Sequence, residues 1–185
     1  MKKSITLTLC LVALAALGPA RGASTFNGAE PAAPAASAAA ACDVEAYVLD
    51  TDPKGLNVRD APGVGGRVVA VIPLDEDGTI VHLVASSPNG WVQLDHAETI
   101  GGTVVLDKRG WVSGNMLATE SRGYGSKGVK RFARPRARKF AGTMPPETEA
   151  RVAGCEANWI SVKYKSLTGW LQPEDQCPNP VTTCN

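Results

Sequence analysis

The chain has 185 residues and a net charge of +1, with 19 lysines and arginines against 18 acidic residues. The charge is unevenly divided: residues 42–118 carry 11 acidic and 5 basic side chains, whereas residues 119–185 carry 6 acidic and 11 basic. Two halves of opposite charge indicate two units with different surfaces. Only 5% of the residues are aromatic, which disfavours a nucleic-acid-binding protein.

Residues 1–22 have the pattern of a secretory signal peptide. Lys2 and Lys3 precede an apolar run at residues 5–17, and small residues follow it. A run of about 13 residues is too short for a membrane anchor, which needs ~20. Cys10 lies inside the run, so lipid attachment is not expected. We therefore expect an exported protein, periplasmic or extracellular, without a transmembrane anchor.

Residues 23–41 are rich in alanine and contain Pro31 and Pro34. They carry almost no charge, and no large apolar side chain follows Phe26. Such a segment has nothing with which to build a core, so we expect a disordered linker.

The cysteines predict two disulfides. Four remain once the signal peptide is removed, namely Cys42, Cys155, Cys177 and Cys184. An exported location is oxidising, so an even number of cysteines indicates disulfides. Closely paired cysteines with nearby histidines are absent, so no metal site is predicted. All three connectivities stay open, but three cysteines within the last 31 residues predict that at least one bridge staples the C-terminus.

A succession of short β-type runs follows the linker. The runs at residues 67–72 and 79–84 are β-branched or alternating, and turn residues such as Asp77 and Gly78 separate them. The chain's 13 prolines and 19 glycines leave room for many tight turns. No window has a helical period longer than two turns. The sequence therefore predicts an all-β fold.

Two pairs of tryptophans indicate an internal duplication. Trp91 and Trp111 in the first half align with Trp159 and Trp170 in the second. Between the tryptophans lie 19 residues in the first copy and 10 in the second. The surplus, around residues 96–105, predicts a hairpin inserted in the first copy.

The segments upstream of the tryptophans also repeat. Residues 56–62 align with residues 131–137, which places Arg59 over Arg134, and residues 68–73 align with residues 139–144. An arginine at the opening of a strand most often binds a turn carbonyl or a carboxylate. We therefore assign Arg59 and Arg134 a structural role.

These landmarks resemble those of the bacterial SH3-like (SH3b) domain family. The family's L-N-V-R-x-x-P opening matches residues 56–62, and its closing x-G-W-V-x-x-x-x-L matches residues 109–117. Its V-x-x-I-P-x-G-x-x-V and N-G-W-x-x-V elements match residues 69–81 and 89–94. The second copy departs most at its opening, where residues 132–135 replace the N-V-R element.

The resemblance implies two small β-barrels in tandem. The first would span residues 42–118 with the inserted hairpin, and the second residues 129–185 with the disulfide-stapled end. Residues 119–128 would link them. Each unit lies near the lower size limit for an independent core.

The resemblance also implies a protein that binds the cell envelope and recognises peptidoglycan or its peptide stems. The alternative is an accessory protein that docks on another exported envelope protein through its acidic or basic half. The sequence does not predict the oligomeric state.

The large aromatic side chains are the candidate ligand-binding residues. Two interpretations are open: a surface that stacks on sugar rings or a peptide, or packing within the barrel core, which is the commoner use of a strand aromatic. The set comprises Trp91, Trp111, Trp159, Trp170 and Tyr164.

A dense basic run precedes the second copy. It could bind an anionic polymer, or it could be a solvated segment running into an edge strand. It contains Phe132 as its only aromatic residue, which disfavours nucleic acid. The basic residues are Lys127, Lys130, Arg131, Arg134, Arg136, Arg138 and Lys139.

No catalytic residue is predicted. His82 and His96 are the only histidines, and Asp95 beside His96 suggests half of a catalytic dyad. A base needs a nucleophile, however, and the mature cysteines are better used in bridges. No serine has a nucleophile-elbow setting, and no phosphate-binding loop precedes a helix. We therefore expect neither enzymatic activity nor a cofactor.

Overall fold

The computed structural model describes residues 38–182 and 184. The predicted signal peptide, and the predicted linker up to residue 37, lie outside the described residues. Within them the chain forms fourteen strands and two short 3₁₀ helices, without an α-helix. The predicted all-β class is therefore confirmed. No helix among these residues is long and apolar enough to cross a membrane.

The first half of the described chain contains seven strands. Alternation of apolar and polar side chains gives each of the longer ones a buried face, as in Thr79–Ser86. The strands are β1 (Ala40–Val48), β2 (Leu56–Arg59), β3 (Val68–Ile72), β4 (Thr79–Ser86), β5 (Trp91–Thr99), β6 (Val104–Leu106) and β7 (Gly110–Ser113). The end of β5 pairs with β6, which forms the hairpin that the sequence predicted as an insertion.

A 3₁₀ helix, Gly114–Met116, leads into the second half. A second 3₁₀ helix, Pro173–Asp175, stands at the corresponding place before the last strand. The strands are β8 (Leu117–Ser121), β9 (Val129–Phe132), β10 (Phe140–Met144), β11 (Glu149–Glu156), β12 (Trp159–Tyr164), β13 (Leu167–Leu171) and β14 (Gln176–Cys177). Strand β8 includes residues 119–121, which the sequence assigned to the linker.

The two halves repeat one strand order. In the first half the order is β1-β4-β5-β7-β2-β3, and in the second it is β8-β11-β12-β13-β9-β10. Pairing of β1 with β8 joins both into one antiparallel sheet of fourteen strands. This sheet is continuous and does not close, so the division into two tandem barrels stays a prediction.

Strand β8 belongs to both repeats. Along one edge it pairs first with β1, through Leu117 and Ala118, and then with β14, through Glu120 and Ser121. Its other edge pairs with β11. The first part of β8 is therefore the last strand of the first repeat, as β14 is the last strand of the second repeat.

The register corrects the alignment of the two openings. Arg59 pairs with Trp111, whereas Phe132 pairs with Trp170. Arg59 therefore corresponds to Phe132, and the predicted match with Arg134 is displaced by two residues. The displacement arises because Phe132 stands at this strand end and Arg131 occupies the core position before it.

Two glycines support the corrected register. Gly55 and Gly128 immediately precede β2 and β9, and both have positive φ, 81° and 112°. A Cβ at either would collide with a strand carbonyl oxygen, that of Ile72 or of Met144. Only glycine combines this backbone conformation with so close an approach.

One contiguous apolar core runs through both halves. Ile72, Leu83 and Leu94 are completely buried in the first half, and Ile160 and Leu171 in the second. Burial of each such side chain stabilises the fold by roughly 1.5–3 kcal/mol.

The two predicted disulfides are present. Cys42 pairs with Cys155, across 113 residues, and Cys177 pairs with Cys184 near the C-terminus. The first bridge joins β1 to β11, and backbone hydrogen bonds of 2.8 and 2.7 Å tie residues 43 and 41 to Ala157 beside it. The first disulfide therefore connects the two halves, and the second staples the end.

Candidate functional site

A groove in the first half contains one of the candidate tryptophans. It measures about 320 Å³ and lies between β2, the start of β5 and the first 3₁₀ helix. We call it the Trp91 groove. Its lining residues are Asp50, Leu56, Asn57, Arg59, Val64, Trp91, Ser113 and Met116.

The turn between β2 and β3 forms one wall of the Trp91 groove. Arg59 at the end of β2 donates from Nη1 to the carbonyl oxygen of Gly66 at 2.7 Å, which fixes that turn. Asn89 donates to the carbonyl oxygen of Pro62 at 3.3 Å, which ties the turn to the loop before β5. Arg59 therefore binds a turn carbonyl oxygen, which is the kind of partner that its predicted structural role requires.

The chemistry of the Trp91 groove is mixed. Asp50 contributes a carboxylate, Arg59 a guanidinium and Trp91 a half-buried indole. Val64 stands at the turn with 84% of its surface exposed. A groove with an aromatic wall, an exposed apolar side chain and one charge of each sign suits a short peptide with charged groups.

The four tryptophans do not converge on one surface. Trp159 is the most buried, with 9% exposure, and packs edge-to-face against Phe132 with the ring centroids 5.3 Å apart. Trp111 and Trp170 are half-buried in β7 and β13. Trp91 lines the Trp91 groove, whereas core packing accounts for Trp159, so Trp91 is the candidate for binding.

Tyr164 lies in a separate hollow of about 370 Å³. Its ring is 5.2 Å from the ammonium nitrogen of Lys165 and 5.9 Å from the guanidinium carbon of Arg131. The structure therefore does not join Tyr164 to the tryptophans. The hollow is lined by Asn115, Glu149, Ala150, Arg151, Lys163, Tyr164 and Lys165.

The predicted basic patch divides into one buried and six exposed side chains. Arg131 is only 2% exposed, and its Nη1 donates to the carbonyl oxygen of Leu167 at 3.2 Å. The other six, Lys127, Lys130, Arg134, Arg136, Arg138 and Lys139, are exposed. Arg131 therefore contributes to the interior and not to a binding surface.

Positions in and beside the Trp91 groove have different residues in the second half. Phe132 stands where the first half has Arg59, and Phe140 where it has Val68. Phe132 packs against Phe140 with the ring centroids 5.3 Å apart and also against Trp159. The second half thus has an aromatic cluster in place of a charged groove.

His82 forms a polar cluster that sequence spacing does not indicate. Its Nδ1 lies 2.8 Å from Asp95 Oδ1, and its Nε2 lies 3.1 Å from Asp43 Oδ1. Burial acts to lower the pKa of His82, but the hydrogen bonds and charges of the two carboxylates outweigh it and raise the pKa. Asp95 therefore pairs with His82 and not with its sequence neighbour His96, whose Nε2 lies 3.5 Å from Glu98.

Among the residues that the structure describes, no group of three or more histidine, cysteine or carboxylate side chains has the geometry of a metal site. His82 and its two carboxylate partners form a local polar cluster on the surface of β1, β4 and β5.

Comparison with known proteins gives a weak structural likeness. Neither a family model nor a curated protein matches the sequence. Among solved structures, NlpC2 from Trichomonas vaginalis is similar, with 14% identity and a TM-score of 0.31. The similar region covers 72% of this chain and 47% of that one, so this chain spans about half the length of that protein. A likeness this weak supports no inference about the fold or the function.

Proposed function

We propose that this is an exported, non-enzymatic envelope-binding protein with two SH3-like barrels, and that the Trp91 groove binds a peptidoglycan peptide stem. The observation that supports the proposal is the set of groups in that groove: an indole, an exposed valine, a carboxylate and a guanidinium. The two disulfides are compatible with an oxidising, extracytoplasmic location.

The repeated strand order supports the two-barrel part of the proposal. Apart from the inserted β6, each half runs through the same six strands and then a 3₁₀ helix and a closing strand. In each half the closing strand pairs with the first strand of that half: β8 with β1, and β14 with β8. Such pairing hides sheet edges that would otherwise be open to aggregation.

The groups in the Trp91 groove fit the chemistry of a peptide stem, which carries both amino and carboxylate groups. Asp50 would attract an amine. Arg59 uses Nη1 to hold Gly66, and a guanidinium has five donors, so the others can bind a ligand carboxylate. The faces of Trp91 and Val64 would bury the methyl groups of alanine-like side chains.

The test is co-sedimentation of the mature protein with purified sacculi, with a charge introduced at the mouth of the groove. Val64→Asp should weaken retention by about fivefold or more, the effect of roughly 1 kcal/mol at a binding surface. Val104→Asp is the matched control, because Val104 is also exposed (51%) but lies outside the groove. Protein that stays wholly in the supernatant, or equal losses for both variants, would refute the assignment.

Docking on another exported envelope protein is the second candidate. It is favoured by β3, an end strand of the sheet that carries the exposed side chains of Val68 and Val71. An end strand of this kind can take up a further strand. A single stoichiometric partner that survives digestion of the cell wall and is lost with Val71→Lys would support it over peptidoglycan binding.

A further inference from the structure

The loop between β9 and β10 differs sharply in charge from its counterpart in the first half. We call residues 133–139 the basic loop. It holds three arginines and one lysine, Arg134, Arg136, Arg138 and Lys139, without an acidic residue. The corresponding loop, residues 60–67, holds one arginine, and Arg67 Nε lies 3.3 Å from the carboxylate of Asp60. The same strand connection thus forms without a cluster of cations, so folding does not require one.

The basic loop is a defined turn that presents its cations outwards. Backbone hydrogen bonds from Ala133 to Lys139 (3.1 Å) and from Ala137 to Arg134 (3.2 Å) close it. Its residues line a hollow of about 810 Å³. All four basic side chains are exposed, and none pairs with a carboxylate within residues 38–182. Their mutual repulsion is therefore uncompensated within the described chain, and an anion would relieve it.

An exposed aromatic ring adjoins the basic loop. Phe140 follows Lys139 directly and is 52% exposed. Its ring is backed by Phe132, which packs in turn on Trp159, and Lys130 Nζ lies 4.7 Å from the ring centroid. The ring therefore packs on an aromatic neighbour and lies beside Lys130, with part of it open to solvent.

We propose that the basic loop and Phe140 together bind a polyanionic glycan, whose sugar units carry carboxylate or phosphate groups. Arginines bind either anion through paired hydrogen bonds. The exposed ring of Phe140 stacks on the C–H face of a sugar. A lipid surface fits less well, because the apolar part of the site is the single exposed ring of Phe140, and the loop itself adds only two alanines and a proline, too short to insert among acyl chains. This site is independent of the Trp91 groove.

The test measures binding of the purified mature protein to polygalacturonate. Its neutral methyl ester and poly-aspartate are the matched probes, one lacking the charge and the other the sugar. Binding to polygalacturonate should weaken with added salt, and the methyl ester should not bind. Arg136→Gln with Arg138→Gln should weaken binding about tenfold. Lys54→Gln with Arg109→Gln removes the same charge from exposed sites in the first half and should change binding by less than about twofold.

The role of the aromatic ring has its own variant. Phe140→Ala should weaken binding to polygalacturonate several-fold and leave binding to poly-aspartate unchanged, whereas Leu167→Ala, an exposed apolar control, should affect neither. Poly-aspartate that binds as tightly as polygalacturonate, or polygalacturonate binding that Phe140→Ala leaves unchanged, would overturn the glycan assignment. Stronger binding to phosphatidylglycerol vesicles than to polygalacturonate would also overturn it. So would binding to polygalacturonate that does not change with added salt.

Discussion

Arg131 occupies a position that the first half fills with a valine. Its counterpart is Val58, which is completely buried, and Gly110 and Gly169 lie against the two side chains at the same place in each half. Arg131 Nε has no hydrogen-bond partner among the described residues. A buried guanidinium that lacks some of its hydrogen-bond partners stabilises the fold less than a well-packed apolar side chain at the same position would.

Replacing Arg131 with an uncharged side chain of similar length should not harm the fold. Arg131→Met keeps most of the volume and removes the buried charge, so the free energy of unfolding should be unchanged or higher by up to about 2 kcal/mol. Arg131→Ala leaves a cavity and should lower it by about 2–3 kcal/mol. Urea unfolding distinguishes the two; equal losses for both variants would show that the charge itself stabilises the fold.

His82 should make stability depend on pH. Its pKa is raised in the folded state, so the folded protein binds the proton more tightly than the unfolded chain does. The stabilisation is complete below the ordinary histidine pKa of about 6.5 and is lost as the pH rises through the folded value. Glu45 and His96 flank His82 on the neighbouring strands, so their side chains also contribute to the electrostatic environment of His82.

The comparison is wild type against His82→Gln, unfolded in urea at about pH 6 and about pH 8.5, where the difference in stability should be larger at the lower pH. Asp95→Asn should reduce the pH-dependent part, because it removes the closer carboxylate. If the wild type and His82→Gln differed in stability by the same amount at both pH values, the proton would not be bound by this cluster.

At the scale of elements, the strands on either side of β8 are held by a side-chain hydrogen bond as well as by the sheet. Tyr47 in β1 donates to Glu149 Oε2 in β11 at 3.0 Å. Burial raises the pKa of the Tyr47 hydroxyl well above its ordinary value, and Glu149 and Glu120 raise it further by their charges. The hydroxyl therefore stays protonated and remains a donor.

Tyr47→Phe should lower the free energy of unfolding by about 1 kcal/mol, the usual net value of one hydrogen bond. Tyr124→Phe is the matched control, since Tyr124 is 66% exposed, and it should change stability by less than about 0.5 kcal/mol. Thermal unfolding followed by circular dichroism measures both. Equal losses of stability for the two variants would show that the hydrogen bond from Tyr47 to Glu149 does not stabilise the contact between the halves.

The sequence predicted the elements that depend on local pattern. Alternation and turn residues located the strands, and the spacing of Trp91 and Trp111 located the β5–β6 hairpin. The opening of the second half was misaligned because Arg131 stands at a core position, where an apolar side chain is the usual signal. The sequence did not predict strand β8, because its five residues, LATES, lack an alternation of apolar and polar side chains.

The sites were predictable only where one segment contains them. The basic loop is contiguous, so its charge is visible in the sequence. The Trp91 groove brings together Asp50, Val64, Trp91 and Met116 from four separate segments, which is a property of the packed turns. The same holds for His82 and Asp43, which are 39 residues apart and meet only through the register of β1 on β4.

At the scale of the whole molecule, the two repeats are joined at several places. The pairing of β1 with β8 and the Cys42–Cys155 bridge link them directly. The C-terminal segment returns to the first half, where Pro180 lies against Gly78. Residues 40–182 should therefore unfold in one cooperative transition rather than as two independent domains.

The two disulfides should contribute unequally to that transition. Closing a loop of 113 residues restricts the unfolded chain more than closing one of 7, and the chain-entropy relation gives about 4.8 against about 2.4 kcal/mol. Cys42→Ala with Cys155→Ala should therefore cost about 2 kcal/mol more than Cys177→Ala with Cys184→Ala in urea unfolding. Because β1 remains paired with β8 and β4, the first variant should still unfold in a single step. Two separate transitions would mean that the bridge alone couples the halves, and equal costs would mean that loop closure is not how these bridges stabilise the protein.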